Sequence, residues 1–366
     1  MRAILLVLAA SICPAQETTA EKLIEAGHWK RARVLVERRL REAPEDPNAI
    51  FLSSQIRNAF GDHDSPLGLA ERAVRSDGGV ARHHRQLAEV QGVMGQHAGV
   101  FQQWILARRF RREIDAALGL DPHDVQAWRD LMEFYLLAPG LLGGDPNKAG
   151  TLVKPIAAID AAEGLLAQAR IAEFRKDPAQ MEAMLRRAAV VRPLSYKAHM
   201  ALAQFYLAPE HCNAAAAESL GRRALAIDGG RIGAYCILAE AYAERGDWSA
   251  LDAVLSAATQ QVPDDAAPYY RAAERMLSGG LEPARAEQYL RLYLAQEAEG
   301  DQPTAAEAHW KLGLALWAQG QDANAIREWK MAVRLDPESP AGRELKRTRN
   351  ANARGTWNAK KPGGAN

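Results

Sequence analysis

The chain has 366 residues, of which 48% are hydrophobic, and a formal charge of +1 at neutral pH. Hydrophobic content of this size is ample for a continuous core, and alanine-rich apolar stretches without a convincing strand pattern favour helix throughout. Basic residues collect at the C-terminal end, so residues 16–339 hold 38 basic and 44 acidic side chains, a net charge of −6. This balance argues against a body that binds nucleic acid.

The first fifteen residues have the layout of a short secretory signal peptide. Arg2 precedes an apolar run over residues 4–10, and residues 13–15 form a small-x-small cleavage site. We therefore expect an exported protein, periplasmic or secreted. A stable membrane span is not expected, because it would need about 20 apolar residues. The alternative is a lipoprotein with its lipid on Cys13, although Ile12 is bulkier than the residue that such sites prefer at that place.

Residues 306–339 show the unit that repeats along the chain. They predict two helices, the first ended by Gly320 and the second stopped by Pro337. Leu312 and Trp329 would fill the seam between the helices, and Gly313 would let them approach closely. One such unit cannot bury its own apolar face, so the pattern predicts further copies.

The unit resembles the tetratricopeptide repeat (TPR) in the spacing of Leu312-Gly313, Ala325, Trp329, Ala332 and Pro337. In this register the chain contains nine units, which start near residues 13, 47, 81, 125, 162, 196, 232, 266 and 306. The resemblance implies an all-α fold, an α-solenoid that winds into a right-handed superhelix over residues 16–339. It also implies a concave face that binds protein or peptide partners.

Unit three is ten residues over length, which predicts an extended second helix over residues 98–120. Its Phe101, Trp104, Ile105 and Arg108 recur at helical spacing. We expect these extra turns to pack on a neighbouring helix. The alternative is an exposed aromatic stripe that serves a partner.

Unit four carries an insertion over residues 138–145. Pro139-Gly140 should end one helix, Gly143-Gly144 should permit positive φ, and Asp145 should cap the next helix. The run LLAPGLLGGDPNKA at residues 136–149 is similar to a segment of a group of exported bacterial TPR proteins. Residues 96–148 are therefore where we expect what is particular to this protein.

Unit eight and the residues after the last unit depart from the regular repeat. Unit eight lacks a closing proline and runs on through residues 296–305, which predicts a hinge. Residues 340–353 predict a capping helix, and residues 354–366 predict a disordered basic tail. Cys212 and Cys236 fall at opposite ends of the helix layer, so we expect two free thiols.

The sequence carries no catalytic, cofactor or metal motif of a recognisable kind. It lacks His-Glu-x-x-His, Gly-x-Ser-x-Gly, paired Cys-x-x-Cys and Walker loops. His83-His84 is flanked by Arg82 and Arg85, which disfavours a bound cation. We predict a protein that is not an enzyme and has no catalytic, cofactor-binding or metal-binding residues.

In TPR proteins the first helix of each unit lines the concave groove, so the resemblance implies a set of partner-binding residues. They are Arg85, Glu89, Arg129, Glu133, Arg170, Gln204, Glu240, Tyr270, Glu274 and Trp310. The Lys-and-Asn set of carboxylate-clamp TPRs is absent. An acidic groove with apolar ends would suit an extended peptide that bears basic and apolar residues.

Two alternatives remain open for these groove residues. Glu89 could pair with Arg85, and Glu133 with Arg129, one turn away on the same helix and unrelated to a ligand. A pocket near Arg129, Glu133, Arg170 and Glu173 could instead serve a ligand-binding or hydrolytic protein.

The sequence thus predicts an exported, non-catalytic scaffold that binds protein or peptide partners on its concave face. The alternative within binding proteins is a periplasmic or lipid-anchored assembly factor for an envelope or secretion complex.

Overall fold

The computed structural model describes residues 19–62, 65–300 and 303–353, with side chains as far as residue 349. The predicted signal peptide, Cys13 and the predicted basic tail lie outside these residues. The described residues form helices, turns and loops and no strand. Among them, no helix has the length and apolar composition to cross a membrane.

Nineteen α-helices follow one another along the described chain, and the first eighteen pair into nine hairpins. The first helices of the hairpins are α1 (Ala20–Ala26), α3 (Pro47–Ala59), α5 (Ala81–His97), α7 (Val125–Leu137), α9 (Ala161–Phe174), α11 (Tyr196–Leu207), α13 (Ile232–Arg245), α15 (Ala267–Ser278) and α17 (Ala305–Ala318). The second helices are α2 (Trp29–Glu42), α4 (Ser65–Ser76), α6 (Val100–Leu120), α8 (Pro146–Ile159), α10 (Pro178–Val191), α12 (Ala214–Ile227), α14 (Trp248–Gln261), α16 (Pro283–Leu294) and α18 (Asp322–Leu335). Helix α19 (Ala341–Ala353) follows the last hairpin, and short 3-10 turns lie at Gly140–Leu142 and Pro209–His211. The prediction of an all-α solenoid is confirmed.

The helices begin where the sequence places capping residues. Asp46 accepts a hydrogen bond from the Ala49 backbone N–H, and Pro47 is the first helical residue of α3. The start of α17 is a full capping box, in which Thr304 and Glu307 each bind the backbone of the other. Local sequence therefore sets where these two hairpins start.

The close approach of the two helices in the last hairpin depends on a glycine. A Cβ atom added to Gly313 would lie 2.2 Å from Nε1 of Trp329, far inside van der Waals contact. The Trp329 ring cannot easily yield, because it is 1% exposed and Nε1 donates a hydrogen bond to the Trp310 carbonyl at 3.2 Å. The predicted close contact at Gly313 is confirmed.

The core runs along the array in successive blocks. Clusters of buried side chains cover residues 32–73, 88–171, 165–241 and 235–341. Leu345 of α19 packs on the last block, as expected for a cap. The core is thus built from blocks that follow one another in chain order, which is the arrangement of a solenoid.

The insertion in the fourth hairpin forms a wide turn. Gly143 has φ of +103°, and the Asp145 side chain accepts hydrogen bonds from the backbone N–H groups of Asn147 and Lys148. Gly144 does not have the positive φ that the sequence suggested. It is required for a different reason, because a Cβ there would lie 1.7 Å from the Ala138 carbonyl oxygen.

The first hairpin also contacts a distant part of the chain. Arg31 donates two hydrogen bonds to the Asp264 carboxylate, at 2.8 and 2.5 Å. Arg33 binds Glu297 in the same two-point way, at 2.9 and 2.7 Å. We call the set of Lys30, Arg31 and Arg33 with Asp264, Glu297 and Glu299 the closing contact.

Lys30 lies at the centre of the closing contact. Its backbone N–H donates to Glu299 at 2.8 Å, and its ammonium group donates to the carbonyl oxygens of Asp264 and Glu297. The Glu299 side chain is only 5% exposed. Residues 297 and 299, inside the segment for which a hinge is predicted, thus bind the cations of α2. The hinge itself stays a prediction.

The two cysteines of the described chain are free thiols, as predicted. Cys212 is exposed in the turn between α11 and α12, and Cys236 is partly buried on α13.

Replacing Gly313 by alanine should lower the free energy of unfolding by about 1–3 kcal/mol, because the new methyl group collides with Trp329. Gly150 provides the matched control: it lies inside α8, and no atom lies within 4 Å of the place that a Cβ would take. There the same change should stabilise the protein by up to about 1 kcal/mol. Urea denaturation measures both, and equal effects at the two sites would contradict the close-approach argument.

Reversing one charge of the closing contact should loosen α1 and α2. We expect Arg31→Asp to raise hydrogen exchange in these helices, because two carboxylates then face each other. The double variant Arg31→Asp with Asp264→Arg should restore most of the protection. Arg39→Asp, which removes an ion pair of 2.8 Å with Asp46 near the same hairpin, is the control. Faster exchange in the control alone would show that the closing contact does not hold the hairpin.

Candidate functional site

The predicted groove residues lie on the first helices of hairpins three to nine. Arg85 and Glu89 are on α5, Arg129 and Glu133 on α7, Arg170 on α9, Gln204 on α11, Glu240 on α13, Tyr270 and Glu274 on α15, and Trp310 on α17. They follow one another along a row of helices and do not form a single cluster.

Most of the groove glutamates are paired with the next hairpin. Glu133 accepts two hydrogen bonds from Arg170, at 2.8 and 2.9 Å. Glu274 lies 3.2 Å from the Lys311 ammonium group, and Glu240 lies 3.6 Å from Arg275. Successive first helices lie side by side, so an acid on one helix meets a cation on the next. The acidic groove expected from the sequence is therefore largely neutralised by the protein itself.

The pairing expected within a single helix is correct for one acid and wrong for the other. Arg85 lies 3.9 Å from Glu89, one turn away. Arg129 instead binds Glu163 on α9 at 2.9 Å and leaves Glu133 to Arg170. Contacts between neighbouring hairpins prevail over contacts along one helix here.

The two aromatic candidates differ in how far they are buried. Tyr270 is 2% exposed and packs against Tyr293, with ring centroids 5.2 Å apart. Burial raises its pKa, so it stays a neutral core residue. Trp310 is partly buried, and the Lys311 ammonium group lies 4.7 Å from the centre of its ring. Tyr270 therefore leaves the set of candidate contact residues.

A pocket of about 480 Å³ lies between α5, α6, α7 and the turn Gly140–Leu142. We call it the α6 pocket. Its walls are mainly apolar and include Val93, Leu106, Phe110, Phe134, Leu137 and Leu142. Phe110 and Phe134 stack with ring centroids 5.1 Å apart, and Gly143 lies against Phe134. The pocket is thus built by the two segments that depart from the regular repeat.

The polar side of the α6 pocket holds two poorly compensated carboxylates. Arg85 is shared among Glu89 and Asp130, each at 3.9 Å, and Asp124 at 3.4 Å. One guanidinium therefore faces three acids. Oδ2 of Asp130 is buried and has no hydrogen-bond partner among the described residues, while Oδ1 accepts from Gln126 at 2.8 Å.

Burial is the main influence on both of these acids. It raises the pKa of Asp130 to about 6, against the opposing effect of Arg85. It also raises the pKa of Glu89, again partly offset by Arg85. Protein atoms surround Glu89 on the concave side, yet 42% of its side chain is exposed. The Glu89 carboxylate is therefore accessible from the groove.

Exposed apolar side chains line the approach to the α6 pocket. Helix α6 starts at Val100, close to the predicted residue 98, and its first turns pack on α5 through Leu106 but leave other apolar side chains exposed. Phe101 is 77% exposed, and Trp104 is 42% exposed with the Arg108 guanidinium 4.6 Å from its ring centre. Leu141, in the turn opposite, is 87% exposed. The expected neighbour packing holds for one face of these turns, where Leu106 is buried against α5, while Phe101 and Trp104 form an exposed stripe on the other.

The α6 pocket was not predicted as a site, although its region was. Asp130 was missed because it lies one residue from the positions usual for the groove. The sequence feature that could have predicted the pocket is the excess length of unit three next to the insertion of unit four. Each of these two segments adds a wall to the same pocket.

The histidine pair has structural contacts on both members. Nδ1 of His84 lies 2.7 Å from a Glu113 oxygen, and Nδ1 of His83 lies 3.1 Å from the Asp77 carbonyl oxygen. Over residues 19–62, 65–300 and 303–353, no group of three or more His, Cys, Asp or Glu is arranged to hold a metal ion.

Comparison with known proteins identifies the architecture. The structure of yeast Tom70 is similar, with a TM-score of 0.50 and 12% identity, over 92% of this chain and 81% of that chain. The fold is a TPR solenoid. No family model and no curated protein matches the chain.

Two other solved TPR structures are similar over shorter parts. A TPR protein of Thermus thermophilus has a TM-score of 0.45 and 19% identity over 51% of this chain and 95% of that one. PilW, a type IV pilus biogenesis factor, has a TM-score of 0.45 and 16% identity over 61% of this chain and 97% of that one. At these identities the likeness concerns fold alone.

Replacing Asp130 by asparagine should stabilise the protein at about pH 7.5 by about 1–3 kcal/mol, since it removes a buried, poorly paired charge. The folded-state pKa is raised, so folding takes up a proton between about pH 6 and pH 4. The gain should vanish below about pH 4, where the wild-type group is already neutral. Thermal denaturation across pH measures this.

Glu133→Gln is the comparison variant, because that acid is bound at two points by Arg170. Loss of this ion pair should lower the free energy of unfolding by on the order of 1 kcal/mol near neutral pH. A destabilising Asp130→Asn with no pH dependence would contradict the buried-charge interpretation.

Proposed function

We propose that this protein is a non-catalytic scaffold that binds an extended segment of a protein partner along the first helices of its hairpins. The observation that supports this is a row of three cavities along those helices. The α6 pocket comes first, between α5, α6 and α7. A cavity of about 440 Å³ follows beside Arg129, Arg170 and Phe205. A third, also of about 440 Å³, lies beside Met200, Glu240 and Arg271.

The spacing of the cavities favours a chain over a small molecule. Gln204 is exposed and borders both the second and the third cavity, so the two are continuous. Solenoids use extended concave surfaces of this kind for recognition, and an extended segment can place successive side chains in successive cavities. In the described residues, no nucleophile and base are set against each other in a cavity, which disfavours the hydrolytic alternative.

In this proposal the protein works outside the cytoplasm, in the periplasm or as a secreted protein. The support is in the sequence: Arg2, the apolar run after it and the small-x-small site at residues 13–15. The similarity of residues 136–149 to exported bacterial TPR proteins points the same way. Lipidation at Cys13 would anchor it instead, in keeping with an assembly factor for an envelope complex.

A tryptophan at Gln204 should block the groove where two cavities join. We expect Gln204→Trp to weaken binding of displayed peptides selected on the wild-type protein by about tenfold or more. Val190→Trp is the matched control, because Val190 is 76% exposed on α10, a second helix. Fluorescence anisotropy with the selected peptides measures both. Loss of binding in Val190→Trp together with full binding in Gln204→Trp would overturn the assignment to the groove.

A further inference from the structure

The α6 pocket differs from the other two cavities in how it is built. Its walls come from the extra turns of α6 and from the insertion, not only from the regular repeat. Both segments leave apolar side chains in solvent, Phe101 on the first turn of α6 and Leu141 in the insertion. Both segments therefore shape a surface.

The charge at this pocket is not balanced by the protein. Glu133 is fully engaged by Arg170, at 2.8 and 2.9 Å, and is not free for a ligand. Glu89 accepts one hydrogen bond from the Asn58 amide at 3.2 Å, and Glu89 and Asp130 share the more distant Arg85. Oδ2 of Asp130 has no hydrogen-bond partner among the described residues. A buried carboxylate oxygen without a donor is costly, and a cation that donates to it would remove that cost.

The apolar part of the pocket is too large for one basic side chain alone. The Phe110–Phe134 stack and the leucines beside it offer a surface on which an aliphatic stem or an aromatic ring can be buried. Arginine and lysine carry a charge on such a stem, and an adjacent apolar residue can fill the remaining volume.

We propose that the α6 pocket receives a basic side chain of the partner together with a neighbouring large apolar side chain. The basic head group binds Glu89 and Asp130, and the apolar side chain lies on Phe110 and Phe134. This inference rests on the peptide-binding function proposed above, and it names the chemistry that one of its cavities selects.

The probes are short fluorescent peptides that carry a Phe-Arg pair between glycine and serine residues. One analogue has citrulline in place of arginine, which keeps the shape and removes the charge, and a second has alanine in place of phenylalanine. We expect the parent peptide to bind about tenfold more tightly than either analogue, as for a charge-assisted contact and a buried ring. Equal binding of all three peptides would overturn the proposal.

Variants of the protein test whether the α6 pocket causes this selectivity between peptides. Asp130→Asn combined with Glu89→Gln should bring the arginine and citrulline peptides to within about twofold of each other. Glu37→Gln combined with Glu42→Gln makes the same change in net charge on exposed positions of α2 and should leave the tenfold difference intact. If the pocket variant still binds the arginine peptide about tenfold more tightly than the citrulline peptide, the two carboxylates do not recognise the charge and the proposal fails.

A filling variant tests the apolar half without touching the acids. Ala107 lines the pocket, so Ala107→Phe should reduce binding of the parent peptide about tenfold. Ala215→Phe, at an exposed position of α12, is the control, and this variant should bind the parent peptide as the wild type does. Circular dichroism confirms that each variant is folded. Unchanged binding in Ala107→Phe would overturn the proposal.

The outcomes separate this inference from the broader one. If Gln204→Trp abolishes peptide binding while all pocket variants bind as wild type, the groove stands and the α6 pocket assignment fails. If neither set of variants changes binding, both proposals fail. Binding to phosphatidylglycerol vesicles that Phe101→Ser abolishes, without peptide selectivity, would assign the exposed stripe of α6 to a lipid surface and overturn the peptide proposal.

Discussion

The structure depends on the close approach of paired helices at small side chains. Gly313 lies directly against the Trp329 ring, and Ala325 and Ala332 are fully buried in the same hairpin. When two helices pack this closely, their remaining apolar residues face outward along one edge and need the next hairpin to cover them. The row of first helices, with its groove and cavities, follows from this requirement.

The groove is less a charged surface than its sequence suggests. Its ion pairs join one hairpin to the next, as Glu133 and Arg170 do, so they contribute to the stacking of hairpins. A carboxylate left out of this scheme is conspicuous. Asp130 is such a group, and burial raises its pKa to about 6 despite the opposing effect of Arg85. Proteins commonly keep such groups where a ligand compensates them.

The sequence predicted the hairpins well because their signals are local. Observed first helices begin at Pro47, Ala81, Val125, Tyr196 and Ile232, the residues from which the repeat register starts. Small residues, capping residues and helix-ending glycines act within a few positions of one another. Contacts between hairpins carry no such periodic signal.

The features that the sequence did not predict all depend on contacts between residues that are far apart along the chain. Pairing of Glu133 with Arg170, rather than Arg129, is decided by how α7 and α9 lie together. The exposure of Phe101 depends on which face of the extra turns of α6 a neighbour covers, and α5 covers the face of Leu106. The α6 pocket needs α5, α6, α7 and the insertion at once, so its region was predictable from irregular length, and Glu89 was among the predicted groove residues, but Asp130 was not.

The closing contact alters the mechanics expected of a solenoid. An open array, in which each hairpin touches only its neighbours, behaves as an elastic spring whose curvature is easily changed. Here cations on α2 bind acids more than two hundred residues away, at Asp264, Glu297 and Glu299. A contact between the first hairpin and a late part of the array fixes the curvature of the hairpins between them. The groove between those points is then held near one width before any partner arrives, and less conformational entropy is lost on binding.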